Sequence, residues 1–195
     1  MKTLPLDAKD ALLVVDMQND FMEGGSLGIS GSKSIIAVIN RYIEIFSRNS
    51  LAIFASRDFH PVDHSSFRHM GGPWPVHCVA GEFGAEFPVE LLLPEDTIII
   101  SKAEQPDKDA YSAFDDTCLN NQLEQRGIRR LFIGGLATDY CVLHTVKDAL
   151  VLGYEAVLLE DAVCAVNQQA GDGDKAKVKM TSLGAVEITL KHIAQ

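Results

Sequence analysis

Apolar residues along the chain fall into two alternating patterns. Short, nearly continuous runs predict strands at Ala11–Val15, Leu51–Ser56, Thr97–Ser101, Leu131–Gly134, Ala156–Leu159 and Ala185–Ile188. Several are almost entirely Val, Ile and Leu, as expected of strands covered on both faces. Between them, helical spacing predicts helices over Ser34–Arg48, Asp115–Gln125, Asp139–Leu152 and Asp174–Ser182. In the first, Ile35, Ile36, Val38, Ile39, Tyr42, Ile43 and Phe46 mark one apolar face. Gly127 and Gly153 stand where helix C-terminal glycines belong. Strand–helix alternation of this kind predicts an α/β fold: a three-layer sandwich around a central, mostly parallel six-stranded sheet.

The stretch from Phe59 to Pro94 breaks the pattern, being rich in His, Gly and Pro with little periodicity. A long irregular segment inside a domain is often functional. Repeats, low-complexity tracts and internal linkers are absent from the sequence, so residues 1–195 are read as one domain.

Composition adds exclusions. Hydrophobic residues make up 47% and charged residues 23%, as in ordinary soluble domains. No run approaches the roughly 18–20 apolar residues of a transmembrane helix, and the N-terminus lacks the apolar core of a signal peptide; a cytoplasmic protein is expected. The formal charge of −10 argues against nucleic acid and anionic membranes as partners. Cys78, Cys118, Cys141 and Cys164 are widely spaced without a CxxC pair, which disfavours a disulfide framework and a thiolate zinc finger.

In open parallel sheets, ligands bind beyond the carboxyl ends of the strands. Beyond the first predicted strand comes Asp16, beyond the second Asp58 and His60, beyond the third Lys102, and beyond the fourth a loop leading to Cys141. Cys141 lies near a predicted helix start, where the dipole and free N–H groups favour a thiolate and an oxyanion. Asp16 is a candidate base for the thiol, and Lys102 a group to hold Asp16 and favour the thiolate. Taken singly, a buried inert cysteine, a surface lysine and a capping aspartate are the ordinary readings; four strand ends bringing such groups together favour a site. Cys118 and Cys164 keep the ordinary reading, and Cys78 that of a packing residue. Asp58 and His60, at i and i+2, point to one side of an extended chain. With His77 they offer carboxylate and imidazole ligands suited to zinc, iron or manganese. His64 is left open as a ligand or a neighbour of the ligands; His69, His144 and His192 are read as structural or surface residues.

Together these residues resemble the isochorismatase-like cysteine hydrolase superfamily and, within it, the nicotinamidases (pyrazinamidases). The resemblance rests on Val15-Asp-Met-Gln-Asn-Asp-Phe21, Arg57-Asp-Phe-His-Pro61, Trp74-Pro-Val-His-Cys78, Ser101-Lys102 and Gly135-Leu-Ala-Thr-Asp-Tyr-Cys-Val142. Glu23-Gly-Gly-Ser-Leu27 and Ala110-Tyr-Ser-Ala-Phe114 also fit. It implies an isochorismatase-like, Rossmann-like fold. It implies a triad of Asp16, Lys102 and Cys141, an oxyanion hole from the N–H groups of Ala137 and Cys141, and a cis Leu136–Ala137 bond. It further implies one divalent metal ion on Asp58, His60 and His77, with zinc first and iron or manganese as alternatives. Phe21, Trp74 and Tyr111 match positions that wall the substrate ring, where core packing is the ordinary reading. The implied activity is hydrolysis of nicotinamide to nicotinate and ammonia through a thioester, with pyrazinamide also accepted, in a homo-oligomer. Two rivals stand beside it. One is another hydrolase of the superfamily, acting on isochorismate or an N-carbamoyl compound without such a metal site. The other is a catalytically silent binding domain of the same fold. A metal-binding structural protein is a third possibility.

Overall fold

Every residue of the first strand, β1 (Asp10–Val15), is buried, which requires cover on both faces of the sheet. The computed structural model, which describes residues 3–193, supplies that cover. Five further strands join β1: β2 (Ala52–Asp58), β3 (Ile98–Lys102), β4 (Arg130–Leu136), β5 (Glu155–Cys164) and β6 (Val186–Ile188). Their order is β3-β2-β1-β4-β5-β6, and every neighbouring pair is parallel. The order reverses between β1 and β4, so a crevice opens beyond the carboxyl ends of these two strands.

Alternation along β1 divides the core. Leu12 and Val14 face helix α1 (Ile36–Arg48), whose Ile39, Tyr42, Ile43 and Phe46 pack with Ile53 and Phe132. Leu13 faces the other side, where Leu123 of α2 (Leu119–Gln125), Val146 of α3 (Leu143–Val151) and Met180 of α4 (Asp172–Ser182) meet Ile100, Ile133 and Leu158. The result is the expected three-layer α/β sandwich.

Three elements differ from expectation, two of them through polar groups. The segment Asp115–Cys118 is turn rather than the first part of α2. There the Thr117 hydroxyl donates to the Ala113 carbonyl at 2.6 Å and accepts from the Leu119 N–H at 3.2 Å, competing with the helix ladder. Strand β5 runs past Leu159 to Cys164 despite Glu160 and Asp161. The Asp161 carboxylate accepts from the Tyr42 hydroxyl at 2.7 Å and from the Leu190 N–H at 3.0 Å, which satisfies it in the sheet. Finally, Thr138–Val142 forms one π-helical turn before α3, not ordinary α-helix.

The Phe46 ring is fully buried and meets Phe132 edge-on at 5.1 Å. Phe46→Ala is therefore expected to lower stability by about 3–5 kcal/mol. Arg41→Ala, which removes only an exposed i,i+3 pair with Glu44, should stay within about 0.5 kcal/mol of wild type. Urea denaturation of the two variants checks both values.

Candidate active site

The crevice is lined by residues that leave the ends of β1 to β4. Asp16 is the first residue after β1, and its φ of 47° turns the chain out of the sheet. Its N–H still donates to the Ser56 carbonyl at 3.1 Å, and the Ser56 hydroxyl donates to Asp16 Oδ1 at 2.7 Å. Beneath it, β4 approaches closely. A Cβ on Gly135 would lie 2.1 Å from the Val15 carbonyl oxygen, so only glycine fits. The next peptide bond, Leu136–Ala137, is cis. The π-helical turn then presents Cys141 to the crevice. Its first carbonyl, that of Ala137, accepts from Tyr140 N–H at 3.1 Å and Val142 N–H at 3.0 Å.

Lys102 ends β3 and is 1% exposed. Its ammonium lies 3.1 Å from Asp16 Oδ2, donates to Asp58 Oδ1 and to the Ala110 carbonyl (2.9 Å), and sits 3.7 Å from the Cys141 sulfur. Burial works against the lysine's charge, but Asp16 and Asp58 outweigh it and hold the group protonated well above its usual range. Burial raises Asp16 above the ordinary carboxylate range, only partly offset by Lys102. Asp58 also feels burial, yet Lys102, His60 and His77 bring it below that range. Burial likewise pushes the Cys141 thiol well up, with Lys102 opposing and Asp16 adding to the rise. Asp16 Oδ2 is buried with the Lys102 ammonium 3.1 Å away and no other hydrogen-bond partner among the described residues, and it is near enough to the Cys141 thiol to add to that thiol's raised pKa. The resting site is thus a thiol beside a carboxylate of raised proton affinity.

Next to this cluster, ligand atoms of Asp58, His60 and His77 all lie within 4.8 Å of one another, and all three residues are buried. His60 Nδ1 meets the His77 carbonyl at 3.1 Å, and His77 Nδ1 meets the Pro75 carbonyl at 2.8 Å. A carbonyl only accepts, so both Nδ1 atoms carry a proton and the Nε2 atoms are the ring positions left to face a ligand. Burial pushes His60 down to about 4, so its ring is neutral, as ligation requires. Two imidazoles with oriented outer nitrogens and one carboxylate fit a divalent metal ion. His60, His64 and Asp109 form a second grouping of the same size, but Asp109 is exposed. Both His64 nitrogens are already engaged, Nδ1 with the Ser66 hydroxyl at 2.8 Å and Nε2 with the Lys108 carbonyl at 3.1 Å.

A cavity of about 470 Å³ opens over both groups and reaches Asp58, His77, Ala137 and Cys141. Phe21, Trp74, Tyr111 and Tyr140 wall it. The Trp74 indole N–H donates to the Tyr111 hydroxyl at 3.1 Å, and its ring meets Tyr140 edge-on at 5.6 Å. All ten residues singled out from the sequence therefore converge on one crevice.

The isochorismatase domain matches residues 10–191 of the chain. The chain belongs to the isochorismatase family. Among the relatives of this family member, the nicotinamidase of Escherichia coli strain K12 is 38% identical over 92% of the chain and 94% of its own length. The zinc complex of the pyrazinamidase of Pyrococcus horikoshii is 47% identical with a TM-score of 0.90, covering 93% of this chain and 99% of the other. The PnC1 of L. infantum, solved with nicotinate, is 33% identical with a TM-score of 0.90 over 98% of each chain.

Sequence reasoning missed several residues that shape the site of this isochorismatase-family chain. Ser56 binds Asp16. Tyr140 walls the cavity. Asp20 accepts from the Cys78 N–H at 2.7 Å, beside His77. Asp139 accepts from the N–H groups of Val166 (2.9 Å) and Asn167 (2.8 Å), fastening a cavity-lining loop to the cysteine turn. The available signal was polarity itself: Ser56 closes an apolar run, and Asp20 and Asp139 lie inside the motifs already singled out.

Replacing Lys102 by Met would leave two buried carboxylates without their cation. A loss of about 3–5 kcal/mol is expected at neutral pH. The deficit should narrow on acidification, because a carboxyl deprived of its cation has a raised pKa in the folded state and regains a proton as pH falls. Denaturant titrations of wild type and Lys102→Met at several pH values measure both effects.

Proposed function

We propose that this protein is a nicotinamidase, hydrolysing nicotinamide to nicotinate and ammonia through a thioester on Cys141, and that it also accepts pyrazinamide. One observation carries the reading: the Cys141 thiol, backed by the buried Asp16, and Asp58 and His77 of the metal-suited set open into one aromatic-walled cavity. The family relatives named as nicotinamidases and pyrazinamidases support it. The metal-suited donor set favours a pyridine or pyrazine amide over isochorismate and N-carbamoyl substrates.

In this reading the aromatic ring lies among Phe21, Trp74, Tyr111 and Tyr140, with its carboxamide over Cys141. Asp16 takes the thiol proton and the sulfur attacks the carboxamide carbon. Lys102, near the sulfur, stabilises the thiolate. The N–H groups of Ala137 and Cys141 receive the oxyanion; among the described residues, the Ala137 N–H has no acceptor of its own. The C–N bond breaks as Asp16 returns its proton to the departing amine, which leaves as ammonia. Asp16 then takes a proton from the water that attacks the thioester. Collapse releases nicotinate, and Asp16 reprotonates the sulfur.

Asp58, His60 and His77 would hold the divalent ion, with zinc favoured by the zinc complex of the related pyrazinamidase. A metal bound there supplies Lewis acidity that orients a ring nitrogen or activates a coordinated water. His64, with both nitrogens engaged, is assigned beside the ion rather than on it.

Ammonia release from nicotinamide by the purified protein is the direct test. Wild type is expected to release it, and Cys141→Ala to fall by on the order of 10³-fold or more. Activity retained in Cys141→Ala would rule out the thioester route, and an inactive, metal-loaded wild type would rule out the nicotinamidase assignment. For the metal, elemental analysis should find about one equivalent in wild type, a loss in His77→Ala, and only weakened retention in His64→Ala.

A further inference from the structure

The three proposed metal ligands account for the donor set but not for what holds Asp58 in place. Its carboxylate has two tasks: one oxygen accepts from Lys102, and the group also faces the imidazoles of His60 and His77. On one edge the backbone of Asp58 is fixed by β3, where it pairs with Lys102 in register and the next N–H, that of Phe59, donates to the Lys102 carbonyl at 3.0 Å. On the other edge the neighbour should be β1, but β1 has already ended. The last backbone contact on that side is the Asp16 N–H on the Ser56 carbonyl, after which the positive φ of Asp16 carries the chain away.

Gln18 fills the gap. It is fully buried, and its side-chain amide makes the contacts that a continuing strand would make. Oε1 accepts from the Asp58 N–H at 2.8 Å, and Nε2 donates to the Asp58 carbonyl at 2.7 Å. The second Nε2 hydrogen goes to the Ala85 carbonyl at 3.0 Å, tying in the far end of the irregular segment. Both donors of the primary amide are used, together with its acceptor. Gln18 N–H itself donates to the Asp16 carbonyl at 2.8 Å, so the residue that grips Asp58 is tied to the turn bearing Asp16.

We propose that Gln18 is a positioning residue for the metal centre, its amide replacing the missing rung of β1 and thereby aiming the Asp58 carboxylate between Lys102 and the two imidazoles. The inference rests on the metal reading above. Groups that orient a ligand from behind typically contribute 10–100-fold to metal affinity.

Gln18→Met keeps the length of the side chain and removes all three hydrogen bonds. Zinc affinity is measured by competition with a chromophoric chelator, and the cobalt-saturated protein is examined for its d–d absorption. The expected result is zinc binding weakened by about 10–100-fold, with an altered cobalt spectrum at full occupancy. Phe46→Leu, in the core packing between α1 and the sheet, serves as a control for general destabilisation and should bind zinc as wild type does. If Gln18→Met does not fold, Gln18→Asn takes its place: it keeps the amide but is too short to reach Asp58 and Ala85 together, and weakening in the same range is expected. Unchanged affinity and spectrum in the Gln18 variant, or equal weakening in Phe46→Leu, would overturn the inference while leaving the metal site in place. Failure of the wild type itself to bind zinc or cobalt would overturn the metal reading, and the inference with it.

Discussion

A buried ammonium governs the architecture of this site. An unpaired Lys102 at 1% exposure would be untenable, because removing an ammonium from water costs several kcal/mol even after relaxation. Two carboxylates and a carbonyl compensate it, and they come from the ends of β1 and β2 and from the segment after β3. The cluster of Asp16, Asp58 and Lys102 carries one net negative charge, which helps keep the neighbouring Cys141 protonated at rest. Passing a proton from Cys141 to Asp16 moves charge within the cluster without creating any. In a low-dielectric interior that is the inexpensive way to make a thiolate, since separating new charge would cost far more than in water.

The same economy of charge is visible at the imidazoles. Two backbone carbonyls decide which nitrogen of His60 and of His77 carries the proton, and burial keeps the His60 ring neutral. The donor atoms proposed for the metal are thus oriented by the polypeptide itself. The Trp-Pro-Val-His sequence contributes directly, because the carbonyl that orients His77 belongs to Pro75.

Much of this was legible in the chain. Continuous apolar runs located all six strands, because strands buried on both faces leave no room for alternation. The site was legible for a related reason: Asp16, Asp58 and Lys102 each fall at the end of such a run, where a charge is costly unless partnered. What stayed hidden depended on partners distant in sequence. Glu160 and Asp161 concealed the continuation of β5, since nothing local announces that Tyr42 and the Leu190 N–H will satisfy Asp161. Side-chain competition by Thr117 shortened α2, and the π-helical turn before Cys141 has no apolar period of its own. Gln18 was overlooked because its role exists only once β2 lies beside it.

The position of Lys102 at the end of an outer strand has a consequence for how the chain reaches its native state. The groups of the cluster lie about forty residues apart in succession, with Lys102 separated by 44 positions from Asp58 and by 39 from Cys141. Contacts of such sequence separation form slowly and late, after the loops between them have closed. Strand β3 has only one neighbour, β2, to define its register. A slip by one residue would turn Lys102 to the opposite face and leave two carboxylates enclosed without a cation. The ion cluster therefore acts as a proofreading device for assembly: only the correctly registered edge strand lets the sheet close over its charges.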